Sequence, residues 1–290
     1  MAVREIVVIS GKGGTGKTTL TASLVPFLGP LVIADCDVDA PDLHILLNPV
    51  LQRTEAFSGG QKAVIRAEDC TSCGLCSSYC KFGAPDTFSV PPAIDAMKCE
   101  GCGVCRHVCP QHAVEMRDAR TGEVFHSLTH YGPMKHARLV PGEETSGKLV
   151  TKVRSEARAA AEAAGIGTVL IDGSPGIGCN VISSVTGAAL VLIVTEPTVS
   201  GLHDLKRVAE LVSRFGSNII VVINKFDLHL RMTKAIEEYC GDCKIPVGLR
   251  IPFSQKMVEA VTRKQIPSVV EKDFFDAAGW QGFIQTLVPN

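Results

Sequence analysis

Three things are missing from this 290-residue chain: an excess of charge of either sign, a long apolar run and an N-terminal leader pattern. Lys plus Arg number 29 against 30 Asp plus Glu, so the totals supply no long-range attraction to nucleic acid or an anionic bilayer. The longest apolar run, AALVLIV at 188–194, falls far below the roughly 18 residues of a membrane span. The opening MAVREIVVIS runs into a glycine loop as a strand would, not as a secretory apolar core. After Lys272 the C-terminal segment holds no basic residue, and so lacks the cationic face that attachment to lipid or DNA requires. The expected setting is cytoplasmic, with neither nucleic acid nor membrane as partner.

What is present is core-forming material, at 46% hydrophobic residues and a mean hydropathy of +0.21. Residues 3–9, 31–35, 168–172, 188–195 and 218–224 are short, β-branched apolar runs, the pattern of strands buried on both faces. Helix-length patterns at 148–165 and 201–216, each closed by glycine, fall between them. The alternation predicts an α/β fold, a doubly wound and mostly parallel sheet with right-handed crossovers. From about 60 to 118 no comparable strands are legible; cysteines, Gly, Pro and Ser dominate. The expected division is therefore a discontinuous domain, 1–60 and 119–290, with a small inserted domain at 61–118. Residues 119–147 read as a hairpin and loop leading back to the sheet.

The stretch GKGGTGKT, Gly11 to Thr18, lies between a predicted strand and a predicted helix, the context a phosphate loop requires. Backbone N–H groups of Gly11, Gly13, Gly14, Thr15 and Gly16 can turn onto phosphate oxygens. Lys17 neutralises them, Thr18 offers a hydroxyl to Mg²⁺, and Thr19 continues the loop into the helix. Asp37 and Asp172 end two of the predicted strands, where α/β sheets bind ligands. The lysine-first form, KGGTGKT, resembles the deviant Walker A loop of the MinD and ParA family of P-loop ATPases. That resemblance assigns Lys12 to the nucleotide of a partner subunit in an ATP-sandwiched dimer. It also gives Asp37 a part in orienting the attacking water and the Mg²⁺ shell, and gives Asp172 a contact to the metal through water. The catalytic set it implies is Lys12, Lys17 and Asp37. The stretch INKFD holds Asn224, which touches adenine in such ATPases, but N-K-x-D is also the guanine motif of GTPases, so ATP and GTP both stand here. Residues 251–260, IPFSQKMVEA, resemble the segment that closes over the base.

Eight of the twelve cysteines repeat CxxCxxCxxxC at an offset of 29 residues. Such clustering in a reducing compartment points to metal. The pattern, with Pro110 after the last cysteine, resembles bacterial two-cluster ferredoxins, in which the fourth cysteine of each run serves the other cluster. Carried over, one 4Fe-4S cluster takes Cys70, Cys73, Cys76 and Cys109, and the second takes Cys99, Cys102, Cys105 and Cys80. Lys81 departs from the proline usual there. Zinc is the competing metal, but these three-plus-one sets would leave surplus thiolates around a tetrahedral ion. Cys36 reads as a buried small hydrophobe. Cys179, after the switch aspartate, resembles the bridging-cluster cysteine of the nitrogenase iron protein. Cys240 and Cys243 form a lone CxxC, either a helix-end thiol pair or a further metal site like that of Mrp-type carriers. His126, His130 and His136 read as surface histidines of a hairpin, with a cargo-metal site as the alternative.

Over nearly its whole length the chain resembles MinD-superfamily ATPases containing an inserted ferredoxin domain. That resemblance implies an ATP-hydrolysing iron–sulfur protein, with two 4Fe-4S clusters, ATP and Mg²⁺ as cofactors. It implies a nucleotide-dependent homodimer or related heterodimer, and ATP-gated electron transfer to an acceptor or apo-metalloprotein, or the maturation of that partner. An Mrp-like cluster assembly or carrier ATPase is the alternative, and a MinD/ParA-like positioning ATPase the third reading.

Overall fold

The computed structural model describes residues 3–288. Among the described residues eleven strands are formed: β1 (Arg4–Ser10), β2 (Val32–Asp35), β3 (Val50–Phe57), β4 (Gly60–Ile65), β5 (Val114–Ala119), β6 (Gly122–Thr129), β7 (Gly132–Leu139), β8 (Thr168–Pro175), β9 (Leu190–Thr195), β10 (Asn218–Asn224) and β11 (Val247–Ile251). The helices are α1 (Lys17–Leu24), α2 (Leu43–Leu47), α3 (Leu75–Tyr79), α4 (Val104–His107), α5 (Ser146–Ala164), α6 (Cys179–Val185), α7 (Val199–Ser213), α8 (Leu230–Asp242), α9 (Gln255–Thr262), α10 (Pro267–Val270), α11 (Lys272–Ala277) and α12 (Trp280–Leu287).

Nine strands make one sheet in the order β11-β10-β9-β1-β8-β2-β7-β6-β3. β1 runs parallel to β8 and β9, β10 to β9 and β11, and β2 to β8 and β7. This is an α/β fold with a mostly parallel central sheet. Both faces of β1 are buried: Ile6 and Val8 belong to a core with Leu20, Leu24, Leu170 and Trp280, while Val7 and Ile9 are equally inaccessible on the opposite face. Trp280 sits edge-on to Phe275 at 4.8 Å and to Phe27 at 5.8 Å, closing that core with the C-terminal helices. α5 buries Leu149, Val150, Val153, Ala157 and Ala161, one stripe of a helix. Burying each of the three larger side chains contributes about 1.5–3 kcal/mol. Gly165, at φ 68°, lets the chain leave that helix in a left-handed conformation.

The expected runs are strands within a residue or three of their sequence limits, and β6 with β7 is the expected hairpin; one expectation needs correction and two features go beyond what was expected. First, the 60–118 stretch is not strandless: β4 and β5 pair antiparallel from Gly60↔Ala119 to Ile65↔Val114. Second, the hairpin after it joins the central sheet, with β7 beside β2 through Ile33↔Met134 and Asp35↔His136. Third, β11 extends the sheet beyond the last expected strand.

The chain divides into two compact units. The larger comprises residues 1–55, 124–138 and 146–290, and the smaller comprises 56–123 and 139–145. The smaller has its own modest core of Ala63, Ala84, Cys99 and Val114, flanked by Ile65, Ile94 and Met116. Among the described residues no helix is long and apolar enough to cross a membrane.

Candidate functional site

The phosphate loop leaves β1 at Ser10 and enters α1 at Lys17. Gly14 and Gly16 have φ of 79° and 92°, a region that side chains disfavour. Close approach adds a second constraint at Gly16, where a Cβ would lie 2.3 Å from Asn224 Nδ2. At Gly11 a Cβ would lie 2.4 Å from Asp204 Cβ, so α7 packs directly on the start of the loop. The buried Thr15 hydroxyl has no hydrogen-bond partner among the described residues.

Three carboxylates converge behind the loop: Asp35 at the end of β2, Asp37 just past it, and Asp172 within β8, in register with Asp35. Asp172, fully buried, accepts from Thr18 Oγ1 at 2.7 Å and Thr21 Oγ1 at 2.8 Å, and pairs with Lys17 Nζ at 3.0 Å. Asp37 Oδ2 lies 3.4 Å from the same ammonium. Asp35, not singled out from sequence, accepts the backbone amides of Asp37 and Leu43, both at 3.1 Å, and thereby shapes the turn that aims Asp37. Burial, reinforced by the charge of Asp172, pushes the Asp35 carboxyl well above its usual range; burial likewise raises Asp37 despite Lys17. Burial by itself would lower Lys17, but Asp172 and Asp37 outweigh it and raise the ammonium. Ser174 Oγ donates to the Cys36 carbonyl at 2.9 Å, and the Cys36 amide to that of Asp172 at 2.7 Å, which ties the two carboxylate-bearing segments together. Cys36 is buried as expected, and burial raises its thiol far above the ordinary value.

Lys12 Nζ is 2.6 Å from Glu196 Oε1 and donates to Ser200 Oγ at 3.2 Å. Lys225 Nζ lies 3.2 Å from Glu196 Oε2 and 3.3 Å from the Gly14 carbonyl oxygen. Glu196 was missed from sequence. Its signal was its place at the end of an apolar run, where strand-end side chains face the crevice.

Asn224 lines an apolar pocket with Gly16, Thr19, Phe253, Met257 and Val258. Its Nδ2 donates to the Thr15 carbonyl at 2.8 Å and its Oδ1 accepts the Lys225 amide at 3.0 Å. Asp227 Oδ1 accepts the Phe253 amide at 2.6 Å, so this carboxylate holds the pocket wall.

In the smaller unit the cysteines fall into two sets. One small cavity is lined by Cys70, Cys73, Cys76 and Cys109, and another by Cys80, Cys99, Cys102 and Cys105. The 29-residue repeat persists in detail. Ser72 and Gly101 both have positive φ, 55° and 65°; Gly74 and Gly103, at 77° and 75°, open α3 and α4. The Ala84 amide points to Cys80 Sγ at 3.5 Å, and the Ala113 amide to Cys109 Sγ at 3.4 Å. Amides of Ser72 and Ala63 point to Cys70 and Cys99, each at 3.4 Å. Among the described residues no three His, Cys, Asp or Glu side chains converge closely enough to grip a single ion.

Cys240 is buried and Cys243 exposed at the end of α8. Burial and the neighbouring Cys243 push the Cys240 thiol up to about 11. Cys179 is exposed at the start of α6. The histidines do not share a site. His126 is buried rather than superficial, with Nδ1 2.8 Å from Lys135 Nζ. His136 stacks on Phe125 at 5.0 Å and meets Ser127 Oγ at 2.9 Å, and burial pushes it down to about 4. His130 is exposed beside Tyr131.

The profile of the CobQ/CobB/MinD/ParA nucleotide binding domain matches residues 6–268. An uncharacterised protein of Methanocaldococcus jannaschii is 32% identical over 226 residues, covering 77% of this chain and 78% of its own length. Among solved structures, the MinC:MinD cell division protein complex of Aquifex aeolicus superimposes with a TM-score of 0.57 at 19% identity, covering 98% of this chain and 93% of its own. The septum site-determining protein MinD of Pyrococcus horikoshii, complexed with Mg-ADP, gives 0.56 at 17% identity, covering 97% and 93%. At these identities the two structures establish likeness of fold.

Proposed function

Since the chain belongs to the CobQ/CobB/MinD/ParA nucleotide-binding family, we propose that it is a Mg²⁺-dependent ATPase of MinD/ParA type whose nucleotide state governs two 4Fe-4S clusters held by the same polypeptide. The nucleotide half rests on the loop and its carboxylates. Thr18, Asp37 and Asp172 are hard oxygen donors suited to Mg²⁺, and their crowding around one ammonium favours a divalent cation. In this reading Lys17 neutralises the β and γ phosphates and Asp37 orients the attacking water. Lys12 reaches across to the nucleotide of a second subunit. The lysine-first form of the loop, KGGTGKT, favours ATP over GTP.

The single observation that carries the iron–sulfur half is the sorting of eight cysteines into two cavities, each lined by three cysteines of one repeat and the fourth of the other. Four thiolates around a cavity, rather than around a point, suit a cube of metal and sulfide better than one zinc, whose sulfur ligands sit about 2.3 Å from a single ion. The amides aimed at sulfur would stabilise thiolate charge. When bound, the clusters supply one-electron transfer to a partner metalloprotein. An Mrp-like cluster carrier differs only in passing on the cluster itself, and Cys240 with Cys243 would then serve as an additional thiol pair.

The comparisons favour the MinD/ParA-like ATPase over the iron–sulfur addition, and a positioning ATPase is the second reading, since the similar solved structures are of cell-division proteins. Iron analysis of anaerobically purified protein separates them. About eight iron atoms per chain, falling to about four on replacing Cys73 or Cys102 with alanine, support the iron–sulfur reading. Protein that hydrolyses ATP but binds no iron after reconstitution leaves the positioning ATPase.

A further inference from the structure

Glu196 spends its carboxylate unusually. One oxygen holds Lys12 at 2.6 Å, the other holds Lys225 at 3.2 Å, and the carboxylate is only 16% exposed. Lys225 is itself fixed to the Gly14 carbonyl, and Ser200 adds a hydrogen bond to Lys12. Burial alone would raise the Glu196 carboxyl, but the two lysines outweigh it and hold it below the usual carboxylate range, so the pair is ionic at neutral pH.

The holder cannot drift away from the loop. Thr198 caps α7 by accepting the Gly201 amide, and the first glycine of the loop abuts Asp204 so tightly that a Cβ there would lie at 2.4 Å. Lys12 can therefore leave only by swinging its own side chain. A lysine destined for a second subunit's triphosphate is thus already satisfied inside its own.

We infer that Glu196 parks Lys12 in the lone subunit, and that a second copy of this chain carrying ATP must displace this contact before the two can pair. The inference rests on the proposed action of Lys12 across a dimer. Glu196 is a positioning residue acting through Lys12: the triphosphate of the incoming copy displaces one carboxylate, and pairing still requires nucleotide when that carboxylate is gone.

Sedimentation equilibrium with saturating Mg²⁺ and a non-hydrolysable ATP analogue tests it. Glu196→Gln lowers the protein concentration at half-dimerisation by about tenfold, the weight of one charge-assisted hydrogen bond. Glu196→Asp, which keeps the charge one methylene shorter, falls between the two. Ser200→Ala, a milder change that leaves the carboxylate in place, shifts the midpoint in the same direction by less. All three remain monomeric without nucleotide, and Lys12→Ala does not dimerise with or without Glu196→Gln. A merely structural role would weaken pairing instead. A midpoint for Glu196→Gln and Ser200→Ala equal to or above that of the wild type, with Lys12→Ala still monomeric, overturns the latch. Lys12→Ala dimerising like the wild type overturns the cross-subunit role itself, which is a different failure.

Discussion

Asp37 shows most plainly the conflict between chemistry and stability at the level of single residues. Its carboxyl is raised by burial, so the folded state holds that proton more tightly than the unfolded chain. Stability is therefore lost as pH rises past the ordinary aspartate value, about 3.9, and the penalty is complete above the folded value. Asp37→Asn removes the charge at little change in size. It should abolish turnover yet raise Tm at pH 7 by a few degrees, a gain that shrinks toward pH 4 and that thermal scans across this range would reveal. Gly101 makes a second case. A Cβ there would lie 2.1 Å from the Gln61 carbonyl oxygen, whereas its repeat equivalent Ser72 already carries one. Gly101→Ala should cost the second cavity its metal, about four of eight iron atoms, while Ser72→Ala leaves iron content whole. Equal losses in both would mean that the close approach to β4 is unimportant.

At the level of elements, the sequence was legible wherever an apolar run is buried on both faces, as in β1, β8, β9 and β10. It was illegible where burial is partial. β3 is largely exposed along VLQRTEAF, with Arg53 and Glu55 paired on its surface, so no periodicity marks it. β11 carries Gly248 because a Cβ there would meet Ile220 Cγ2 at 2.5 Å, and a glycine weakens any strand signal. β4 and β5 sit among cysteines, glycines and charges and depend on each other's backbone. The site followed the same division. The loop and the sorting of the eight cysteines into two sets were legible because their spacing is regular, while the parts of Asp35 and Glu196 were not assigned, because they depend on which backbone or side chain the fold brings near. α7 offers an element-scale test. Thr198→Ala removes the hydroxyl that accepts the Gly201 amide and should lower stability by about 1 kcal/mol in denaturant titration.

For the molecule as a whole, the two units rest on different supports. The larger has an extensive core on both faces of its sheet, whereas the smaller has few buried apolar side chains and two thiol-lined cavities. Chains with so little core generally need a staple, and thiolate–metal bonds provide one. Chelation of iron should therefore erase hydrogen-exchange protection across 60–119 while leaving β1 and β8, and nucleotide binding, intact. Loss of both together would mean that the units do not fold independently.

The cysteine-bearing stretch is threaded in the chain between β2, which ends in Asp35 near Asp37, and β8, which carries Asp172. That connectivity is the reason to expect nucleotide state to reach the clusters. The most direct test is redox titration of the reconstituted protein with and without Mg-ATP. The account predicts that the midpoint potential of at least one cluster moves by about 60 mV or more, tenfold in a one-electron equilibrium, and that Lys17→Ala abolishes the shift. Identical potentials in the presence and absence of nucleotide, in protein that binds ATP and carries its full iron, would contradict it.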